Sequence, residues 1–298
     1  MSILMKLKNR TRWLLSFPID KINQFIYPNP IVKSIDETIQ KIVSERCSVC
    51  RYGDGEFNIM FGNSIDFQHY DKRLADKMRN ILRCEEEKCL VCLCDNFYDN
   101  RECTREVRIY WKRFMRLHRA KLGRLLKKGK IYYNTWISRF YLRYVDKSRT
   151  DIFIEKLRLI WEQKRIVFVE GEKSRLGVGN DLFNNALSIK RVLCPAENAF
   201  DYYDEIIDEI KKNVGMDELI LIALGPTATA MAYDLHMEGY QAIDIGHIDI
   251  EYEWYRMGAT TKVPVKNKYT NEAVEGKNVG EIFDAQYQSQ IILRIGEK

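Results

Sequence analysis

The sequence predicts an α/β protein, a single domain built on a mostly parallel sheet with helices on both faces. From about residue 31 onward, short apolar runs alternate with longer segments of helical periodicity. This alternation is typical of parallel strands joined by crossover helices. Hydrophobic residues make up 46% of the 298 residues, which is enough to form a core. Because no Pro-, Gly- or Ser-rich linker and no internal repeat divides the chain, we expect one domain over residues 31–265.

The first half of the chain alternates between predicted helices and predicted strands. Apolar residues at helical spacing predict helices over residues 34–45, 72–84, 104–128 and 149–163. Short runs rich in Cys, Val, Leu and Tyr predict strands over residues 47–53, 89–98 and 130–138. The first of these strands runs directly into a predicted turn of sequence DGE.

The second half repeats this alternation more clearly. Buried strands are predicted over residues 165–171, 191–195, 219–225 and 240–246. A loop that opens into a helix is predicted over residues 177–189, and further helices over residues 198–215 and 226–239. Asn198 is a plausible N-cap, and Pro226 and Gly239 suit the first turn and the end of the last helix.

Ligands of open parallel sheets bind at the carboxyl ends of the strands. Five segments directly follow predicted strands, namely GDGE, EGEKSRLGVGN, CPAEN, GPTAT and GHIDIEYEW. We therefore expect the functional residues of this chain to lie in these five segments.

The segment RYGDGEF carries two carboxylates, Asp54 and Glu56, after a predicted strand. Oxygen ligands suit hard cations such as Mg²⁺ and Mn²⁺, which are commonly bound by one or two carboxylates and by substrate phosphates. In an extended segment these two side chains point to one side. Gly53 and Gly55 would let phosphates approach the backbone. The alternative is an ordinary Asp-Gly turn with solvated carboxylates.

The segment GPTATA places Gly225, Pro226, Thr227 and Thr229 at the predicted start of a helix. Free N–H groups and the helix dipole there favour an anion. The alternative is a helix capped by its own threonine. The segment matches neither a P-loop nor a Gly-x-Gly-x-x-Gly fingerprint, which argues against a P-loop kinase or a dinucleotide enzyme.

The segment EGEKSRLGVGND combines an arginine with a glycine-rich loop. Arg175 is suited to pair with a diphosphate. Asn180 and Asp181, which follow Gly179, are suited to bind sugar hydroxyls. The alternative is a loop in which Asn180 or Asp181 caps a helix.

The segment GHIDIEYEW alternates ionisable and apolar residues. If it is extended, His247, Asp249, Glu251 and Glu253 share one face. Crowded acids beside a histidine provide a general base tuned by its neighbours. The alternative is a solvent-facing edge strand.

A net charge of +6 favours partners that carry negative charge. Residues 101–130 hold twelve Lys or Arg against two Glu, and residues 1–30 join basic residues to Trp and Leu. Both segments suit an anionic membrane surface, although a solvated or packed helix is the alternative. We see no signal peptide and no apolar run long enough to cross a bilayer.

Eight cysteines lie mainly in apolar, strand-like runs. Two clusters, at residues 47–50 and 84–94, are separated by more residues than a zinc ribbon or finger uses. We expect buried free thiols in a reducing cytosol rather than a zinc site.

Taken together, the segments RYGDGEF, EGEKSRLGVGNDLF, RVLCPAENAFDYYDEI and ALGPTATAMAYDLHMEGYQAIDIGHIDIEYEW resemble the GT-D-type glycosyltransferases, which act in bacterial surface-polysaccharide and glycoprotein assembly. They follow the family order over about residues 35–258. The resemblance implies a Rossmann-like fold, a UDP-sugar donor, a glycan acceptor and a divalent metal, Mn²⁺ or Mg²⁺, held by an Asp-x-Glu pair. On this chain that pair is Asp54 and Glu56. Residues 1–30, a basic amphipathic segment, and 266–298, an expected peripheral tail, lie outside the resemblance.

Each predicted site residue then has an expected role. The proton acceptor is one of His247, Asp249, Glu251 and Glu253. The expected substrate-binding residues are Arg51, Gly53, Arg175, Gly179, Asn180, Asp181, Asn198, Gly225, Pro226, Thr227 and Thr229. We expect a cytoplasmic protein with peripheral contact at the inner face of an anionic membrane, and no nucleic-acid partner.

Two other functions share some of these features. A metal-dependent nucleotidyl- or phosphotransferase uses the same metal, anion sites and basic charge. A non-catalytic basic module that docks on a membrane or on RNA uses the charge of residues 101–130, but it gives no reason for acids at the strand ends.

Overall fold

The computed structural model describes residues 17–98 and 100–296. Its first half contains helix α1 (17–26), strand β1 (Ile31–Val32), α2 (Ile35–Glu45), β2 (Ser48–Tyr52), α3 (Asp54–Met60), α4 (Lys72–Leu82), β3 (Cys89–Leu93), α5 (Arg105–Leu125), β4 (Ile131–Asn134), a 3₁₀ helix (Thr135–Ser138) and α6 (Thr150–Arg158). The second half contains β5 (Arg165–Gly171), β6 (Ser188–Cys194), a second 3₁₀ helix (Ala199–Tyr202), α7 (Tyr203–Asn213), β7 (Leu219–Ala223), α8 (Pro226–Met237), β8 (Gln241–Asp244), α9 (Ile248–Arg256), α10 (Ala285–Gln290) and β9 (Ile291–Arg294).

The nine strands of the described residues form one sheet in the order β1-β4-β3-β2-β8-β7-β5-β6-β9. Every neighbouring pair is parallel, for example β2 with β3 and β7 with β8. The predicted α/β fold with a mostly parallel sheet is therefore confirmed. From β2, the chain adds β3 and then β4 on one side of that strand. The later strands form the other half of the sheet, in which β8 pairs with β2, so the two halves meet between β2 and β8.

Two hydrophobic cores cover the two faces of this sheet. Successive residues of a strand point to opposite faces, so Cys50 and Tyr52 of β2 pack with α3, α4, α5, α7 and α8. Val49 packs on the other face with α2, α6 and α9. All eight cysteines are free, and all except Cys84 are buried, as expected for structural thiols.

Three local predictions are wrong. Residues 177–187 form turns and no helix, because Gly177 and Gly179 adopt positive φ angles of 72° and 77° that interrupt helical geometry. The DGE segment is the first turn of α3 rather than a free turn. The predicted strand over residues 130–138 ends at Asn134, whose side chain caps the first 3₁₀ helix by accepting a hydrogen bond from the Trp136 backbone N–H.

The segment from residue 266 was expected to be peripheral, but it is built into the fold. Strand β9 extends the sheet beyond β6, and Lys268 is buried beneath α9 with 3% of its side chain exposed. Residues 266–290 are mostly polar, so their sequence did not indicate that they pack into the fold. Residues 1–16 of the predicted amphipathic segment lie outside the described part of the chain. Across the described residues, no helix is both long and apolar enough to cross a bilayer.

Candidate active site

A cavity of about 1200 Å³ opens at the carboxyl edge of the sheet. Its wall includes residues that end or directly follow six strands, namely Gly53, Thr135, Gly171, Pro195, Leu224 and Gly246. The loops after parallel strands converge there, as the strand-end rule predicts. This volume is large enough for a drug-sized ligand or a nucleotide sugar.

Asp54 and Glu56 lie in the first turn of α3 and both line this cavity. Two residues apart on a helix are separated by roughly 200° around its axis, so the expectation that the pair points to one side of an extended segment is wrong. The side chain of Glu56 points back toward the start of the helix, where its Oε2 accepts a hydrogen bond from the backbone N–H of Gly53 at 2.7 Å. Asp54 accepts a hydrogen bond from the Tyr110 hydroxyl on α5. Both carboxylates therefore lie at the N-terminal end of α3.

Burial, and then the nearby carboxylate of Asp244, raise the pKa of Glu56 to about 7. A carboxyl group in this setting is stabilised in its charged form by a nearby cation. Among the described residues, no three His, Cys, Asp or Glu side chains converge into a closed metal cage. Two carboxylates at a cavity wall fit a hard cation that takes its other ligands from water and substrate oxygens.

Arg51 lies at the end of β2, and its guanidinium contacts protein groups at the cavity floor. Its Nε donates to the Asp244 backbone oxygen at 2.9 Å, and its Nη2 to Asp244 Oδ1 at 3.1 Å. Its Nη1 donates to Ser138 Oγ. A glycine is favoured at position 246, since a Cβ there would lie 1.8 Å from Arg51 Nη2 and the backbone φ is +47°. Arg51 therefore lines the cavity, while its guanidinium forms hydrogen bonds with the protein.

The segment HIDIEYEW is the helix α9 and not an extended strand, so its ionisable residues do not share one face. The sequence alternation suggested period two, but residues 248–254 are all buried in a helix, whose apolar residues pack into the second core. Asp249 accepts hydrogen bonds from the Gly177 backbone N–H at 2.9 Å and the Asn180 side chain at 2.7 Å. It also pairs with Lys268 at 2.6 Å. This acid joins three segments of the fold.

Glu251 and Glu253 are likewise bound to protein groups. Glu251 Oε1 accepts hydrogen bonds from the backbone N–H groups of Tyr141 and Leu142, at 2.8 and 2.6 Å. Burial raises the pKa of Glu251, while Arg139 opposes that shift. Glu253 contacts Asn180 at 2.7 Å and Lys268 at 3.1 Å. These contacts give the three acids of α9 structural roles.

His247 lies at the N-terminal end of α9 and belongs to a polar cluster that lines the cavity. Its Nε2 is 2.8 Å from Asn271 Oδ1 and 3.6 Å from Glu272 Oε1. Glu272 also forms ion pairs with Arg139 and Lys262. Burial alone would raise the pKa of Glu272. The positive charges of Arg139, His247 and Lys262 outweigh burial and hold that pKa well below its usual value.

Sequence reasoning missed most of this cluster. Asn271 is 24 residues from His247 and lies in an irregular segment beyond the last predicted strand. Arg139 follows the first 3₁₀ helix, one residue beyond the end of the predicted strand 130–138. No spacing or periodicity links these positions, because the tertiary fold alone brings them together.

Residues 49–273 match the sequence model of the family described as "Glycosyltransferase GT-D fold". The chain belongs to the GT-D family of glycosyltransferases. It is 43% identical over 286 residues to Glycosyltransferase GlyD of Streptococcus pneumoniae serotype 4, covering 96% of this chain and 34% of that protein. It is 37% identical over 268 residues to Probable glycosyl transferase Gly of Streptococcus gordonii, covering 90% of this chain and 39% of that protein. The chain thus spans little more than a third of the length of these curated relatives.

Solved structures show the same fold. One, described as "The highly conserved domain of unknown function 1792 has a distinct glycosyltransferase fold", superposes with a TM-score of 0.87 at 42% identity, covering 93% of this chain and all (100%) of that one. Another, "A New Glycosyltransferase (DUF1792) from Streptococcus sanguinis", gives a TM-score of 0.86 at 36% identity, covering 90% of this chain and 100% of that one. The GT-D resemblance inferred from sequence is therefore confirmed.

Four predicted substrate-binding residues of the glycine-rich segment lie outside the cavity wall and contact protein groups, namely Arg175, Gly179, Asn180 and Asp181. Arg175 donates to the backbone oxygens of Asn267 and Gly280, at 2.9 and 2.7 Å, and so fixes the C-terminal segment. Asn180 is bound to the acids of α9. Asp181 accepts hydrogen bonds from Tyr252 and Arg158. The backbone oxygen of Gly179 accepts from Arg256.

The start of α8 also differs from expectation. Gly225 lines the cavity, where a Cβ would lie 2.4 Å from Phe67, and Pro226 is buried in the first turn. The hydroxyls of Thr227 and Thr229 are buried and donate to protein oxygens, Thr227 to Gln68 at 3.3 Å and Thr229 to the Arg51 backbone at 2.8 Å. These two threonines lie outside the cavity wall, and their hydroxyls bind protein groups.

Asn198 adopts a left-handed conformation with φ 54° and makes no side-chain cap. Its Oδ1 accepts from the His69 backbone N–H at 2.8 Å, and its own N–H donates to Phe67 at 2.9 Å. It therefore holds the loop 64–70 against the cavity and is not itself part of the cavity wall. Asn198 thus occupies the N-cap position of the second 3₁₀ helix, as predicted, but its side chain does not make the capping hydrogen bond.

The inner face of α5 forms one wall of the cavity through Val107, Tyr110 and Trp111. Trp111 packs edge-on against Trp136 with ring centroids 5.5 Å apart. The sequence predicted this helix from its periodicity but suggested a function for it only through its basic charge. The structure shows that the same helix combines an aromatic wall of the cavity with an exposed basic surface.

Proposed function

We propose that this GT-D domain is a metal-dependent glycosyltransferase that moves a sugar from a UDP-sugar donor to a hydroxyl of a glycan acceptor, in bacterial surface-polysaccharide or glycoprotein assembly. The observation that carries the proposal is the pair Asp54 and Glu56 at the wall of a 1200 Å³ cavity at the strand ends. Family membership supports glycosyl transfer over phosphoryl transfer. The named activity of the relatives is consistent with it.

The two carboxylates would hold Mn²⁺ or Mg²⁺, which when bound supplies positive charge to the diphosphate leaving group. Tyr110 orients Asp54 by its hydrogen bond, and the Gly53 backbone N–H orients Glu56. Arg139 and Lys262 add cationic groups to the same cavity. Of the four predicted proton acceptors, His247 is favoured, because the acids of α9 are bound to Lys268 or to backbone N–H groups.

Calorimetric titration of UDP, with and without Mn²⁺, tests the metal and the donor together. We expect wild-type protein to bind UDP more tightly with Mn²⁺, and Asp54→Ala to lose at least about tenfold in that affinity. Asp66→Ala is the matched control, since Asp66 also lines the cavity but lies outside the pair. Equal binding by wild type and Asp54→Ala, or no UDP binding at all, would contradict the proposal. UDP release from a panel of UDP-sugars then identifies the donor.

We also propose that the protein works in the cytoplasm and contacts the inner face of an anionic membrane. Helix α1 turns Asp20 toward Arg119 of α5 at 2.9 Å, while Ile22, Phe25 and Ile26 are exposed. Helix α5, which contacts α1 through Arg119, carries these exposed basic residues: Arg108, Lys112, Arg113, Lys121 and Arg124. An apolar stripe with neighbouring cations is typical of interfacial helices.

Cosedimentation with vesicles that contain phosphatidylglycerol tests this surface. We expect binding that falls with added salt and that is weakened in Phe25→Ser. Phe283→Ser is the control, because Phe283 is fully exposed on another part of the protein. Absence of binding at low salt, or equal loss in both variants, would remove the membrane proposal and leave the transferase proposal intact.

A further inference from the structure

His247 differs from the acids of α9 because one of its two ring nitrogens is unengaged. Its Nε2 contacts Asn271 Oδ1 at 2.8 Å. Among the described residues, no group forms a hydrogen bond with Nδ1, and this atom is not sealed from the cavity. A ring nitrogen that is open to the cavity can meet a substrate atom there.

The contacts of Nε2 determine which nitrogen carries the proton in the neutral ring. An amide oxygen can only accept a hydrogen bond, so Asn271 Oδ1 requires a hydrogen on Nε2. The Glu272 carboxylate, 3.6 Å from the same nitrogen, also favours a hydrogen there. Two separate acceptors therefore select the Nε2–H tautomer, and the lone pair resides on Nδ1.

The charged groups around His247 come from three parts of the fold. Arg139 follows the first 3₁₀ helix, Arg51 ends β2, and Glu272 lies in the C-terminal segment with Lys262 bound to it. Burial, followed by Arg139, lowers the pKa of His247 to about 4, while Glu272 opposes this shift. The ring is thus neutral near pH 7, which a proton acceptor requires.

We propose that Asn271 is a positioning residue that holds His247 as the Nε2–H tautomer, so that Nδ1 removes the proton from the acceptor hydroxyl. This inference rests on the proposed glycosyl transfer. The acceptor oxygen forms a bond to the anomeric carbon as the bond from that carbon to the phosphate oxygen breaks, and UDP leaves with the electron pair. The proton passes to Nδ1. Glu272 then faces a positively charged ring, which it stabilises by charge attraction.

The tautomer can be read without any substrate, by ¹⁵N NMR of the imidazole rings in the full chain. The sequence has four histidines, and His247→Gln assigns the signals of His247. We expect protonated Nε2 and unprotonated Nδ1 in wild type and in Asn271→Asp, which keeps an acceptor oxygen. Asn271→Ala should populate both tautomers. A wild-type ring with its proton on Nδ1 overturns the proposal, whatever donor the enzyme uses.

Kinetics then separate positioning from a merely structural role. We expect Asn271→Ala to lower kcat by about 10- to 100-fold with the KM for donor unchanged, and Asn271→Asp to restore most of the turnover. Adding Asn271→Ala to His247→Gln should cause little further loss, because the two residues act as a unit. Asn278→Ala, in an exposed part of the same segment, is the matched control and should behave as wild type.

Two results would overturn the positioning role. One is an Asn271→Ala variant with wild-type kcat. The other is a variant whose loss appears only in the KM for the donor. A fold defect in Asn271→Ala is recognised from its NMR spectrum, and Asn271→Asp then carries the test. Failure of UDP to bind would count against the proposed donor and not against the tautomer.

Discussion

Tyr110 connects the aromatic wall of the cavity to the candidate metal pair. Its hydroxyl donates to Asp54, and burial and that carboxylate raise the pKa of Tyr110, so the hydroxyl remains a donor at neutral pH. We expect Tyr110→Phe to weaken Mn²⁺ affinity by about tenfold, since partners that orient a ligand contribute on this scale. Calorimetry with Mn²⁺ measures the loss. Tyr98→Phe, which removes a hydroxyl bound to the Pro30 backbone, should leave affinity unchanged.

His247 makes folding stability depend on pH in the mildly acidic range. Its pKa is about 4 in the folded chain and ordinarily 6.5, so below about pH 6.5 the unfolded state binds the proton more readily. Stability is then lost as the pH falls from 6.5 toward 4. The unfolding free energy of the wild type should fall between pH 7 and pH 5. In His247→Gln we expect this fall to be smaller by about 1–2 kcal/mol, as measured by urea titration at both pH values.

The control for this pH effect is His69→Gln, because His69 is exposed on the loop before α4. Equal pH dependence in wild type and His247→Gln would show that the ring is not held neutral by its surroundings. A change of the same size in both variants would assign the effect to histidine content and not to the site.

At the scale of elements, the connection between β8 and α9 depends on a single glycine. Gly246 has φ +47° and no room for a Cβ next to Arg51, whereas Gly62 has φ +89° with nothing within 4 Å. Both Gly→Ala changes incur backbone strain of about 1 kcal/mol or more. Only Gly246→Ala must also displace Arg51, so it should be the less stable variant in thermal unfolding. Equal Tm values would mean that Arg51 moves freely.

The C-terminal segment is fixed to α9 by one buried lysine. Lys268 pairs with Asp249 at 2.6 Å and Glu253 at 3.1 Å, and all three side chains are at least nine-tenths buried. Removing one partner of a buried ion pair leaves uncompensated charge, at a cost of about 3–5 kcal/mol. We expect this loss for Lys268→Met in urea unfolding. Lys266→Met, at an exposed position two residues earlier, should have little effect.

At the scale of the whole molecule, β9 closes one side of the sheet. It pairs with β6, so a chain that ends at residue 284 exposes the β6 backbone as a new sheet edge. Unpaired strand edges promote association between chains. We expect this truncation to lower Tm and to aggregate at concentrations where the full chain is monodisperse, as followed by light scattering. A chain that ends at residue 296 is the control and should match the full chain.

The core of the sheet was predictable because its strands are short, apolar and separated by helical segments. β5, β7 and β8 were placed correctly to within a few residues, since each is buried on both faces and contains several apolar residues in succession or close together. The same patterns misled at α9, where alternating polar and apolar residues have a helical conformation. There, packing of Trp254 and Ile250 into the core overrides local alternation.

The sequence by itself determined the fold class, the family and the strand-end segments, including the Asp54 and Glu56 pair. These features depend on local patterns along the chain, because interactions between residues close in sequence favour particular helices, strands and turns. Only the tertiary structure decided which polar groups face the cavity. It bound Arg175, Asn180, Thr229 and the acids of α9 into the protein, and it brought Arg139, Asn271 and Glu272 to His247. Contacts between residues far apart in sequence leave no local pattern, because each side chain is selected to fit a partner that the fold alone positions.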